Sequence, residues 1–560
     1  MPEHPPPEGP LARLRASLAG PRGYRRIDAL LSANDAEAAV AALAPTEMFE
    51  LVHEVGFEDA ADLIHLATPE QIRGCLDLDA WDRDHILVDP VKPWLSSIID
   101  AGFEKLGQVW AGLDYEMRAL FFQRHTQIWD LTLGEEPDDD PDDEEVGERP
   151  VYMTVDRWFA IRLLGDEDTN RLIIQLLDDL YRADPDLARH TIMAAKSELP
   201  SELEETSYRW RSARLADLGY ADFYDALELF RPLDTDKVSI GENTQDRRAS
   251  VELDGDDRGL PLAIAEEVVR QSFLARALGR IEDTAESERL EIAILMLVNK
   301  VLAAGRAKPG QSEVVSRAAR YATATVSLGL EAVTRGDLDR AELALRSIAM
   351  IRLFRVGYTI TIKLSRLARS LAPRAATAGS PTRELVAGLV SHRPLFSRAA
   401  ELPPADGLRP FESQADLRRA AELMTQLAAR VALVESLGVN LVAMAAQPEP
   451  RPALDDHVRT ALVRAMAGGE FSAAALRQAE LAAWRAGSVI AGSITPPARI
   501  AARGAIKGRL ATAGVKLADE QQAILVDSWL ADIEQSLGAV GDGEIDPRFV
   551  EGILVEARRS

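Results

Sequence analysis

Residues 45–85 read PTEMFELVHEVGFEDAADLIHLATPEQIRGCLDLDAWDRDH, and the way this stretch stops and restarts decides the fold class. Within 57–67, Phe57, Ala60, Leu63, Ile64 and Ala67 recur at i, i+3 and i+4, which turns Glu58, Asp59, Asp62 and His65 toward solvent. Thr68-Pro69-Glu70-Gln71 then restarts the chain as a capping box. Thr68 accepts from the Gln71 amide, Pro69 takes the first helical position where a missing N–H costs nothing, and Gln71 reaches back. Helices of about three turns are unstable alone in water, so each must stack its apolar face on the next. The expectation is an all-α protein, a superhelical array of short helical repeats.

Working outward, a glycine-aromatic pair recurs as Gly56-Phe57, Gly102-Phe103 and Gly219-Tyr220, each before a helix with apolar residues at similar offsets. Glycine suits a helix end that needs positive φ, and the aromatic anchors the helix that follows. The proline-rich start predicts a disordered or weakly ordered lead over 1–25, not a signal peptide. The array occupies 26–134, with Asn34 and Glu37 read as a further capping box. Residues 135–148, EEPDDDPDDEEVGE, hold ten acids in fourteen positions and read as a disordered acidic linker (135–150). The array resumes over 151–232 and a polar loop follows at 233–260. Longer helical hairpins fill 261–400, including a basic helix at 338–372. An Ala-rich helical region closes the chain at 401–560, with helices starting near Ser413, Asp455, Ser472, Pro497 and Asp519.

The 560 residues are dominated by Ala and Leu with only 6% aromatics, which favours helix over sheet. The net charge of −26 argues against nucleic acid as a partner, since neutralising phosphate needs a basic surface. The charge is uneven: residues 1–300 carry 31 Lys+Arg against 63 Asp+Glu, and residues 301–560 carry 33 against 27. One cysteine, Cys75, and no apolar run long enough for a bilayer predict a cytoplasmic protein without membrane insertion.

The passage FEDAADLIHLATPEQIRGCLDLD resembles the intracellular N-terminal domain of MgtE-type magnesium transporters, a superhelix of short helices, over residues 34–134. That resemblance implies fold more than function; transport is not implied, and magnesium is the one cofactor it would suggest. HEVGFEDAADLIHLATPEQ, YRWRSARLADLGYADFYDALELF and LFRVGYT are similar to a family of bacterial proteins known only as a domain of unknown function, across most of 26–400. That likeness brings no activity with it.

Four features are weighed for chemistry or binding. Glu58, Asp62 and His65 fall at i, i+4 and i+7 and are carboxylate and imidazole ligands suited to a divalent metal, though acids and histidine also fill any solvent face. Cys75 sits inside the helix capped by Thr68, where a small buried residue is expected rather than a nucleophile. Tyr208, Trp210, Tyr220, Phe223 and Tyr224 could line a pocket or form core. On the helix expected at 338–372, Arg352, Arg355, Lys363 and Arg366 share an arc of roughly 80°. They form a stripe suited to an acidic partner or to the acidic N-terminal half. No HExxH, phosphate loop or nucleophile elbow is present. The reading is a non-enzymatic scaffold or adaptor for a protein partner. The alternative is a magnesium-responsive sensor, with an enzyme of unknown type third.

Overall fold

The short helices are closed by residues that bond across their ends. In the computed structural model, Thr68 Oγ1 accepts from the Gln71 N–H at 3.2 Å and Gln71 Oε1 accepts from the Thr68 N–H at 2.8 Å. Gln71 does more. Its buried Nε2 donates to the carbonyls of Val40 and Leu43, both at 2.7 Å, at the end of the helix Ala36–Ala41. One side chain thus starts the helix Pro69–Asp79 and finishes another some thirty residues earlier in the chain. Asp35, not Asn34, caps Ala36–Ala41, accepting from the Ala38 N–H at 2.9 Å. The described residues are 22–82, 85–87, 89–137, 150–217, 220, 223–241, 260–307, 312–448, 450–538 and 550–556. Gly219 and most of the acidic run 135–148 lie outside them.

The described residues are mainly helical. Gly56 closes the helix Pro45–Val55 at φ 94°, ψ 156°, and Gly102 precedes Phe103–Gly112 at φ 101°, ψ 162°. That region of backbone space is essentially closed to residues with a Cβ. After Gly56 the chain makes a turn over 57–60 before the helix Ala61–Leu66, so the helix expected across 57–67 is a turn and a shorter helix. Phe57 packs edge-on against Trp94 at 5.0 Å, and the Arg182 guanidinium lies 4.5 Å from the Phe103 ring centre.

Each short helix packs against the one two places along: Pro45–Val55 on Pro69–Asp79, Ala61–Leu66 on Val91–Asp100, and Pro69–Asp79 on Phe103–Gly112. The approach is close because an N-terminal proline meets a glycine. A Cβ at Gly74 would lie 2.6 Å from Pro45 Cβ, and one at Gly112 would lie 2.5 Å from Pro69 Cβ.

Residues 151–232 do not simply continue the helical array. Thr126–Asp130, Val151–Met153 and Phe159–Leu163 form a three-stranded antiparallel sheet with Phe159–Leu163 in the middle. Its register places Val151 opposite Arg162, Tyr152 opposite Ile161 and Met153 opposite Ala160. Ile128, Tyr152, Phe159, Ile161 and Leu163 face the core that the helices share. The helices Glu167–Ala183, Pro185–Ser197 and Pro200–Asp217 follow.

The single helix expected at 338–372 is two, Leu338–Ser347 and Met350–Ala375. Ile348 leaves the helix at φ −114°, ψ 130°, its β-branched side chain buried, and the Ala349 carbonyl accepts the first N–H groups of the second helix. No glycine or proline marks this break. By contrast Pro373 lies inside the second helix without ending it.

The chain divides into two compact units, Met1–Arg231 with Asp236–Arg355, and Pro232–Thr235 with Val356–Ser560; the division falls inside Met350–Ala375. The second unit is built on Gln414–Ser436, Leu454–Met466, Pro496–Thr512 and Asp519–Gly538. Ser413 caps the first of these, accepting from the Asp416 N–H at 3.3 Å. Arg430 grips Asp455, which also accepts from the Trp529 indole at 3.0 Å. Ser472 starts no helix. The chain there is irregular, with a bend at Ala474, as far as Leu476, which bridges to Val555, and the helix begins at Gln478.

Two outcomes follow from these ends. Gly56→Ala and Gly102→Ala each lower stability in urea unfolding by roughly 1–3 kcal/mol, since space is available and only the backbone conformation is strained. Gln71→Ala lowers it by about 3 kcal/mol, because two carbonyls lose their donor along with the cap. Gln71→Glu, which keeps the acceptor but not the donors, recovers little of that loss.

Candidate functional site

The candidate ligand residues of the sequence are not gathered. Glu58 lies in the turn after Gly56, Asp62 is exposed on Ala61–Leu66, and His65 is partly buried on the same short helix. Among the described residues no group of three or more His, Cys, Asp or Glu is placed to hold a metal ion. Cys75 is fully buried against Pro45, and burial pushes its thiol well up. The aromatics do not converge on a pocket: Trp210 and Tyr224 are exposed, Tyr208 packs on Trp81, and Phe223 lies under Arg306.

The basic stripe is put to two uses. Arg352 and Arg355, partly buried, donate to the backbone carbonyls of Lys237 at 3.4 Å and Arg231 at 3.0 Å, so they hold the 231–237 segment. Lys363 and Arg366 are exposed.

One buried polar cluster in the N-terminal unit is one that sequence reading missed. Arg214, on Pro200–Asp217, donates to both carboxylate oxygens of Asp77 (2.6 and 2.9 Å) and of Asp114 (3.1 and 2.6 Å). Burial opposes the Arg214 charge, but the bonds to Asp77 and then Asp114 outweigh it, so its pKa rises. Burial pushes Asp77 up, and Arg214 only partly pulls it back. Arg211 donates to the Asp77 carbonyl at 2.8 Å and lies 5.1 Å from the Trp81 ring centre. About two turns further back along the same helix from Arg211, Glu204 pairs with Arg124 and His85. All these groups are matched, and the cluster fixes a polar helix onto the array. The only sequence signal was a run of charge on a helix with little apolar face.

Glu50, on Pro45–Val55, is pushed up to about 7, chiefly by burial and then by Glu47 and Glu54, with Arg26 working the other way. Tyr220 nearby is raised by burial and by Glu50.

The sheet edge differs from both clusters because, among the described residues, its outward backbone groups are unmatched. Pro150 O accepts from the Leu163 N–H at 3.0 Å and the Thr154 N–H donates to Phe159 O at 3.1 Å. Antiparallel strands bond at alternate residues, so Tyr152 turns inward and Val151 and Met153 turn their N–H and C=O groups outward. Among the described residues those outward groups have no backbone partner. The side chains are apolar and open: Val151 is 42% exposed, Met153 48%, Val155 71% and Trp158 45%. The edge is held firmly from behind. Tyr152 Oη donates to Asp178 at 2.5 Å, and Arg189 lies 4.4 Å from the Trp158 ring centre while donating to Asp156 at 2.8 Å.

The fold and this edge define a mainly helical protein with a small open sheet. A family model described as "Family of unknown function (DUF6178)" matches residues 7–556, so the chain belongs to that family. Neither the curated proteins nor the solved structures contain a match to it. The likeness of residues 34–134 to MgtE-type domains gains no support from these comparisons. Among the described residues no helix is long and apolar enough to cross a membrane.

The Glu50 environment has a measurable consequence. A carboxyl raised in the folded state stays protonated where the unfolded chain has already ionised. Stability should therefore fall as pH rises from about 4.5 through about 7. Glu50→Gln removes that fall, so denaturant midpoints at pH 5 and pH 8 differ less for the variant than for the native chain.

Proposed function

We propose that this protein is a non-enzymatic scaffold that binds a protein partner at the free edge of its three-stranded sheet. One observation carries the reading: among the described residues Val151 and Met153 present backbone groups with no backbone partner, and exposed apolar side chains, on a strand braced from behind. An open edge of this kind templates pairing with another chain, and proteins usually cover it, charge it or shorten it. Adding a strand supplies main-chain bonds for affinity and alternate side chains for specificity. The stacked helices of residues 24–217 act as the frame that holds this edge in place.

The test is a photo-cross-linking residue at position 155, with and without Met153→Pro. The Met153 N–H points away from the sheet, so proline there removes an outward donor without breaking a ladder bond. Cross-linked protein adducts should form in the source cell and fall by about tenfold in the variant, with its helical circular dichroism unchanged. Adducts that persist equally in the variant would refute the edge as the docking site. Stabilisation by millimolar magnesium beyond that of a matched monovalent salt would instead favour the sensor.

A further inference from the structure

We infer that the exposed face of Met350–Ala375 around Arg366 is a binding site for a soluble anion carrying two or more phosphate groups; the inference does not rest on the reading of the sheet edge. The 26 residues of this helix include no Asp or Glu. Lys363, Arg366 and Arg369 follow one another at i, i+3 and i+6, and all three are exposed. Among the described residues no carboxylate pairs with any of them. Residues three apart on a helix are neighbours, and like charges set there oppose the fold. Elsewhere the chain answers such charges with acids at i,i+4: Arg171 with Glu167, Arg209 with Glu205 and Arg346 with Glu342. Near the end of the same helix Arg374 pairs with Glu435 at 2.9 Å. The cations between are left together, and an anion from outside balances them.

A second element adds to this charge. The turn after Thr382–Val390 is tightly held: the Leu395 N–H donates to the Gly388 carbonyl at 3.0 Å, and the Ser391 hydroxyl lies between the carbonyls of Gly388 and Arg393. A Cβ at Gly388 would stand 2.7 Å from the Leu395 carbonyl oxygen, so the turn closes on a glycine. It brings Arg393 to the side of the long helix where Tyr358, 9% exposed, is buried. Burial raises the Tyr358 hydroxyl, and the charges of Arg369, Arg393 and Arg366 work against that, so three guanidinium groups from two elements surround one phenol. Side chains on a helix lean toward its N-terminus, which turns Arg366 and Arg369 back toward Tyr358. Residues 356–400 hold seven Lys+Arg against one acid, Glu384, and Arg383 takes that acid at 3.4 Å. Guanidinium forks match phosphate oxygens two at a time, which sets the class of ligand. Lys363 and Arg369 are separated by about 9 Å along the helix axis, more than one phosphate covers, so the ligand carries at least two.

The experiment titrates inorganic tripolyphosphate into the full-length protein by calorimetry, beside orthophosphate, a glutamate peptide of equal charge and vesicles containing phosphatidic acid. Tripolyphosphate should bind about tenfold more tightly than orthophosphate or the peptide, and weaken as salt is raised. Arg366→Gln combined with Arg369→Gln should lower its affinity about tenfold or more, with helical circular dichroism unchanged because both side chains are exposed. Lysine at both positions keeps the charge without the fork and should recover only part of the loss. Arg171→Gln, an exposed arginine on another helix, should leave binding as it was. Tripolyphosphate that fails to bind, or that binds the double variant as well as the native chain, would overturn the site. Equal binding of the glutamate peptide would overturn the phosphate ligand and make this face a docking surface for an acidic protein. Binding to the vesicles without binding of tripolyphosphate would overturn the soluble ligand in favour of a lipid surface.

Discussion

The buried amide of Gln71 is the bond on which the N-terminal array depends. A six-residue helix such as Ala36–Ala41 leaves most of its backbone groups unsatisfied, and cannot bury its end without a donor from elsewhere. Gln71 supplies that donor while its oxygen opens its own helix. The same economy recurs where the Lys105 ammonium donates to the Ala67 carbonyl at 2.6 Å and where Arg73 donates to Gly112 at 3.2 Å. Short helices here are stable because side chains from helices distant in sequence complete their ends.

This explains which features were legible in the sequence. Local chemistry was readable: the Thr68 box, glycine at 56 and 102, and the serine cap at 413 all act within a few residues of themselves. Partnerships across the chain were not. Nothing near Gln71 announces that its amide nitrogen serves Val40 and Leu43, and nothing near Asp77 announces Arg214. The three strands were missed for a related reason. Val151–Met153 and Phe159–Leu163 are too short to show a period of two, and their third partner lies before the acidic run. The break at Ile348 is made by tertiary burial of a β-branched side chain, with no punctuating residue. Ser472 shows the converse, a good local cap overruled when Leu476 pairs with Val555.

The candidate site was less legible than the fold. Sequence reasoning looked for convergent reactive groups, and the polar groups that do converge, around Arg214, neutralise one another and serve packing. What distinguishes the sheet edge is a lack of matching among the described residues: backbone groups with no backbone partner and apolar side chains left exposed. Such a feature is a property of topology, because Val151 is an edge residue only by virtue of which strand takes the middle place.

The contacts between Pro45 and Gly74 and between Pro69 and Gly112 bear on how this family can change over time. Each pair fixes the separation of two helices through a ring pressed on a backbone with no side chain, at 2.6 and 2.5 Å from where a Cβ would stand. Neither partner has room to vary alone. A relative with alanine at the position of Gly74 needs a smaller residue in place of Pro45, and would then lose a residue suited to starting a helix. Drift at these four positions must therefore proceed in pairs, and an aligned set of relatives would carry the spacing of the helices as correlated exchange between proline and glycine columns.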